Sequence, residues 1–327
     1  MTDMLETARP ALTRVPLSAA PLPALDTSVR PYPGEVVTAG KHRLFVRHTP
    51  GDTAATAVYV HGLGGSSTNW TDLSTQLAGY ADGYSPDLPG FGRSEPVQGY
   101  DYSMVSHART MIDYIESLDR GPVHLVGNSM GGTVSLIVAA TRPDLVRTLT
   151  LVSPAVPDLR PSLRRVSDPR LPLTVLPFIG PSMQRKLDAL GARVRTEQVM
   201  RLCFADPAVV PEHRIVESME EAAELGGLPW VNAALNGSTL SLFRIWITSG
   251  ARSLWRLAPR VKAPSLVVWG ADDRLISVRR APRTARLLPR GRLLVLPKTG
   301  HVAQMERPVS VARAMLGMWE AVKKQTW

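Results

Sequence analysis

Residues 123–141 read VHLVGNSMGGTVSLIVAAT, and this stretch decides the fold. Its first half is a continuous apolar run, the pattern of a strand buried on both faces of a parallel sheet. Its second half carries the apolar spacing of a helix. Between them stands Gly127-Asn128-Ser129-Met130-Gly131, a G-x-S-x-G sequence followed by Gly132. The glycines let the backbone turn sharply, so that a serine on the turn is thrust out of the sheet with its hydroxyl exposed. A helix starting just after it aims backbone N–H groups and the positive end of its dipole at the same place, which favours a developing anion. Ser129 is therefore the expected nucleophile.

Working outward, TAVYVHG ends an earlier buried strand, and His61-Gly62-Leu63-Gly64-Gly65 follows it. Attack by a serine on a carbonyl creates an oxyanion that needs two preorganised donors. Met130 N–H, just after the nucleophile, supplies one. The glycines of the HGLGG loop leave room for a substrate, and Leu63 N–H is the expected second donor, with Gly64 as the alternative.

The strand–helix rhythm extends on both sides. GEVVTAG and HRLFVRH alternate like two antiparallel strands around a turn at Gly40-Lys41. TDLSTQLAGY, VSHARTMIDYIESLD and the segment after Ser129 read as helices between strands, and VRTLTLVSP as a further strand. Repetition of this kind argues for an α/β protein with a mostly parallel central sheet and helices on both faces. Residues 157–256 break the rhythm. Prolines crowd 157–182, and helical spacing follows in QRKLDALG, RTEQVMRLCF, HRIVESMEEAAEL and SLFRIWITSGARSLWRL. Strands resume with APSLVVWGADD and GRLLVLPKTGH, each followed by a helix. The expected organisation is an extended proline-rich arm (1–34), a first core segment (35–156), an inserted helical cap (157–256) and a second core segment (257–327).

Composition sets limits. With 327 residues, 44% apolar and 20% charged, the chain can bury a large core without a staple. One cysteine, Cys203, forbids an internal disulfide and a cysteine-based zinc site. No run of 18 apolar residues exists, so stable membrane insertion is not expected, and the N-terminus lacks the apolar stretch of a signal peptide. The cytoplasm is the expected compartment. The net charge of +10 resides in residues 257–327, which carry 14 basic and 4 acidic side chains. Those arginines have no interleaved aromatics and no nucleic-acid reading motif, so no nucleic-acid partner is expected.

The segments His61-Gly62, Asp87-Leu88-Pro89-Gly90-Phe91-Gly92-Arg93-Ser94, Gly127–Gly131, Trp269-Gly270-Ala271-Asp272-Asp273 and Gly300-His301, in this order, resemble the α/β-hydrolase superfamily over about residues 35–156 and 257–327. The resemblance implies that fold with a cap and a serine–acid–histidine chain order. It assigns the base to His301, which must be neutral at rest to accept the Ser129 proton. It places the acid three residues after Gly270, at Asp273, with Asp272 as the alternative and Asp158 too far along the chain. It makes His61 a support of the oxyanion loop and Asp87 a structural capping residue. His107 and His124 read as packing residues, and Cys203 as inert.

A serine at the elbow argues against the relatives that open epoxides or cleave carbon–halogen bonds, which use aspartate there. The leading expectation is a carboxylic-ester hydrolase acting on a small apolar ester through an acyl-enzyme, with no cofactor and no metal. The alternative enzyme is a carbon–carbon bond hydrolase of aromatic degradation, which VGNSMGG resembles. HGLGG, and Val302 where that group usually has tryptophan, depart from it. A non-catalytic small-molecule receptor on the same fold is the alternative of another class. LPLTVLPFIG (171–180), Trp230, Phe243, Trp246 and Trp255 suggest an apolar roof or simple packing of the cap. Oligomeric state is not legible.

Overall fold

The computed structural model describes residues 14–159 and 191–327. The first 13 residues of the expected arm, the proline-rich run from 160 onward including LPLTVLPFIG, and QRKLDALG up to residue 190 lie outside the described residues. The chain begins with β1 (Gly34–Ala39), β2 (His42–Thr49), β3 (Thr56–Val60), α1 (Thr71–Leu77), β4 (Asp82–Pro86) and α2 (Met104–Ser117). It continues with β5 (Val123–Asn128), α3 (Met130–Thr141) and β6 (Val146–Val152). After the helices α4 (Ala192–Cys203), α5 (Glu212–Gly226), α6 (Val231–Ile247) and α7 (Leu254–Leu257), the sheet resumes. It closes with β7 (Ser265–Gly270), α8 (Ala281–Leu287), β8 (Gly291–Leu296), α9 (Ala303–Glu306) and α10 (Pro308–Lys323).

The strands form one sheet in the order β1-β2-β4-β3-β5-β6-β7-β8. β1 and β2 are antiparallel neighbours, paired through Ala39 and His42 around the expected turn, and β2 runs antiparallel to β4. All further pairs are parallel. β3, β5 and β7 are buried at every residue, as strands covered on both faces must be. Alternate residues feed two separate cores: Val58, Val60 and Leu125 pack on one face, Ala57, Tyr59 and Val126 on the other. From β3 the chain moves to β4 on one side, then returns to β5 on the other. The carboxyl ends of β3 and β5 therefore flank the point where the strand order reverses, the place where open α/β sheets hold ligands.

Two helical readings of the sequence need correction. SLFRIWITSGARSLWRL is not one helix: α6 ends at Ile247, and Gly250 takes φ +67°, a left-handed conformation that interrupts the turn before α7. The same helix begins ten residues earlier than its apolar spacing shows, at Val231, because Asn232, Asn236, Gly237 and Ser238 dilute the pattern. Among the described residues between β6 and β7, helices occur and no strand does.

The described stretch of the arm, residues 14–33, has no helix or strand but is well anchored. Ser18 and Arg313 of α10 exchange bonds, Ser18 N to Arg313 O at 3.0 Å and Arg313 Nη1 to Ser18 O at 2.9 Å. Further along, the Thr27 carbonyl accepts from His213 Nε2 at 2.8 Å and Val29 O accepts from Arg214 Nη2 at 2.8 Å. The arm thus runs from α10 to α5.

Both expected packing histidines are buried, and burial drives each imidazole down to about 3. His107 sits between the Tyr100 hydroxyl and Ser238 Oγ, each at 3.1 Å, and His124 meets Thr148 Oγ1 at 2.7 Å and stacks on Trp319. A folded-state value below the ordinary one means that the unfolded chain binds the proton first. Stability is complete above about pH 6.5 and falls as pH drops toward 3. At pH 5 each histidine is expected to cost about 2 kcal/mol. Thermal melts at pH 7 and pH 5 check this, and His124→Phe should flatten the difference.

Candidate active site

The site is built where β3 and β5 end. Ser129 follows β5 with φ 52° and ψ −116°, a backbone conformation that few non-glycine residues adopt and that tertiary bonds must hold. Those bonds are visible: Ser129 N donates to Val152 O at 3.0 Å, while Ser129 O accepts from Thr133 N and Ala155 N at 3.1 and 2.9 Å. The end of β6 and the first turn of α3 thereby lock the elbow. Ser129 itself stays partly exposed, whereas Met130 behind it is fully buried. As the first residue of α3, Met130 has no acceptor within the helix for its N–H.

The His61–Gly65 loop lies directly against the elbow. A Cβ placed on Gly62 would stand 3.3 Å from Ser129 Cβ and 3.1 Å from Asn128 Oδ1, so a side chain there would crowd Ser129. The loop's shape is held by His61. Its Nε2 accepts from Leu88 N at 2.9 Å, which leaves the proton on Nδ1, donated to Gly62 O at 2.8 Å. Burial keeps this imidazole below its ordinary value and hence neutral. Asp87 has a comparable supporting role: it accepts from Ser67 N at 2.6 Å and Arg93 N at 2.9 Å. Leu63, at the tip, packs against the adjoining core.

Across the sheet, Asp273 follows β7 and His301 follows β8. His301 Nδ1 lies 2.9 Å from Asp273 Oδ2, with 4% of the histidine side chain and none of the aspartate side chain exposed. The other carboxylate oxygen accepts from Leu275 N at 2.8 Å and Ile276 N at 3.0 Å. A carboxylate so paired selects the tautomer protonated on Nδ1, leaving the Nε2 lone pair as the one that can take a proton. Asp272 is exposed and gives only its backbone N–H to Thr299 O. Asp158 is buried and binds Arg280 Nε and Ser277 N, both at 3.0 Å. Of the three candidate acids, Asp273 alone meets the histidine.

Asn128 joins the two halves. Its Nδ2 donates to His301 O and to Val152 O, each at 3.1 Å. His301 is thus bound directly to Asp273 and, through Asn128, to the Ser129 turn. The role of Asn128 is not visible in the sequence, because nothing at position 128 identifies a partner 173 residues away.

Other candidates fall elsewhere. Cys203 has its thiol pushed up to about 12, by burial first and by the Asp273 charge second, so it stays protonated. Trp246 donates to Ala155 O at 2.8 Å and Trp255 lies beneath Arg283, so both pack on the core, while Phe243 is exposed. Among the described residues, no group of three or more His, Cys, Asp or Glu side chains could hold a metal, and no helix is long and apolar enough to cross a membrane. A cavity of about 340 Å³ opens between the arm, α5 and the Arg93 turn, and neither Ser129 nor His301 is among its walls.

Residues 58–308 match the family described as alpha/beta hydrolase fold, and the chain belongs to that family. It is 32% identical over 268 residues to the dihydrolipoyllysine-residue acetyltransferase component of the acetoin cleaving system of Pseudomonas putida, across 81% of this chain and 64% of that protein. The chain therefore spans under two thirds of that relative's length. It is 27% identical to 2-hydroxy-6-oxo-6-phenylhexa-2,4-dienoate hydrolase of Burkholderia cepacia, over 79% of this chain and 85% of the relative. In three dimensions it resembles a bacterial membrane phospholipase A, with a TM-score of 0.72, 21% identity, and coverage of 90% and 87% of the two chains. That last likeness concerns the fold alone.

Proposed function

We propose that this protein is a serine hydrolase that cleaves a carboxylic ester through an acyl-enzyme. The observation that carries the reading is the buried His301–Asp273 pair at 2.9 Å, tied through Asn128 to the turn that presents Ser129. In this reading His301 Nε2 takes the Ser129 proton as Oγ attacks the ester carbonyl. The tetrahedral oxyanion is met by the N–H groups of Met130 and Leu63. The same imidazole hands its proton to the departing alcohol, and water then repeats the sequence to free the acid. Asp273 holds the ring's orientation and stabilises its cationic form without taking the proton. Residues 157–256 act as the cap that selects the substrate, and we place the reaction in the cytoplasm.

The substrate in this reading is a small apolar ester, and Val302 follows the base in the sequence. It is buried in a cluster with Met200 and Phe204. A second reading, hydrolysis of a carbon–carbon bond in a dienoate, is favoured by the relative from Burkholderia cepacia. One experiment separates them: kcat/KM for p-nitrophenyl esters of two to twelve carbons against a 2-hydroxy-6-oxo-dienoate. Ester turnover at least about tenfold more efficient, a gap of ~1.4 kcal/mol in transition-state stabilisation, is the expected result. The reverse ratio establishes the second reading, and turnover of neither favours a receptor.

A further inference from the structure

The loops bearing Asp273 and His301 are both fastened to the same place on the insert, the carboxyl end of α4. A helix end leaves its last carbonyls without intrahelical partners, and these must be satisfied from outside. Here the partners come from the two loops of the site. Arg274, adjacent to Asp273, donates through Nη1 to Arg201 O and, at 3.0 Å, to Phe204 O, and through Nη2 to Ala205 O at 3.0 Å. A guanidinium at this position also complements the negative end of the helix dipole. His301 N itself donates to Cys203 O at 2.7 Å. Glu306, one turn past the histidine, accepts from Ala205 N at 3.1 Å and from Gly300 N at 2.7 Å. A Cβ on Gly300 would stand 2.3 Å from Cys203 O, so only glycine lets the insert approach this closely.

The backbone of the base is consequently gripped on both sides of its Cα. The insert binds its N–H and Asn128 binds its carbonyl. We propose that Arg274 and Glu306 are positioning residues that clasp the end of α4 to the acid and base loops, so that seating of the insert aligns His301 for proton transfer. This rests on the reading of His301 as the base. Displacing the insert breaks the bond to His301 N along with those to Arg274 and Glu306. A substrate is therefore met by an aligned base only when the insert is seated.

The test compares Arg274→Ala, Arg274→Lys and Glu306→Ala in the full chain by hydrogen–deuterium exchange and by ester kinetics. The alanine variants should speed exchange in both 200–206 and 300–306 while the sheet stays protected. They should also lower kcat about 10- to 100-fold with little change in KM, the size of effect expected from small misplacement of a reacting group. Arg274→Lys, which keeps the cation but not the fork, should recover some of the lost kcat. Unchanged exchange in the two segments overturns the clasp. So does faster exchange with unchanged kcat. Exchange is read without any substrate, so a failure of the hydrolase reading, seen as undiminished turnover by Ser129→Ala, remains distinguishable from a failure of the clasp.

Discussion

Replacing Ser129 with alanine is expected to lower kcat on esters by on the order of 10⁴–10⁶, as removal of a triad nucleophile does elsewhere. The size follows from the mechanism: without Oγ no acyl-enzyme forms, and only binding and the oxyanion donors remain to assist water. Folding should survive, because the elbow is held by backbone bonds from Ser129 N and O to Val152, Thr133 and Ala155, none of which uses the hydroxyl. A melting temperature close to the parent's, beside lost turnover of p-nitrophenyl butyrate, checks both halves. Turnover within tenfold of the parent means that another group attacks.

The second large effect separates two adjacent carboxylates. Asp273→Asn should cost about 10³–10⁴ in kcat, because an amide cannot stabilise the imidazolium and can favour the wrong tautomer. The side chain is fully buried, so no water replaces the lost charge at Oδ2. An asparagine oxygen can still accept from Leu275 N and Ile276 N, which keeps the loop in place and confines the loss to chemistry. Asp272→Asn, at an exposed position, should change kcat by less than about threefold, as surface substitutions remote from the reacting groups do. Paired steady-state measurements decide the matter, and a larger loss at Asp272 would reassign the acid.

Much of this is legible in the sequence for a physical reason. Buried parallel strands write themselves as apolar runs, and β3, β5 and β7 stand where such runs occur. The serine turn is equally plain, since a sharp strand-to-helix turn needs glycines at fixed offsets. Asp273 and His301 follow from resemblance, and the structure shows them 2.9 Å apart. Helices with diluted apolar faces are harder to read: Asn232, Asn236, Gly237 and Ser238 hide the first ten residues of α6, and the left-handed Gly250 falls within a run that spacing alone reads as one helix. Contacts of one residue with a distant backbone leave no trace at all. Asn128 to His301, Arg274 to α4, and the arm's carbonyls to α5 depend on where elements meet, not on any local pattern. Arginine immediately after the acid is the one available signal for the clasp, and its partners are backbone carbonyls that any sequence supplies.

Whether Ser129 attacks with His301 as its base is tested most directly by treating the protein with a fluorophosphonate and mapping the adduct by peptide mass. A single stoichiometric phosphonyl group on Ser129 is expected, formed rapidly in the parent and at least a hundredfold more slowly in His301→Ala, in line with the usual contribution of general-base assistance of about 10²–10⁴. An adduct on another residue, or labelling of Ser129 at the same rate without His301, would contradict this mechanism.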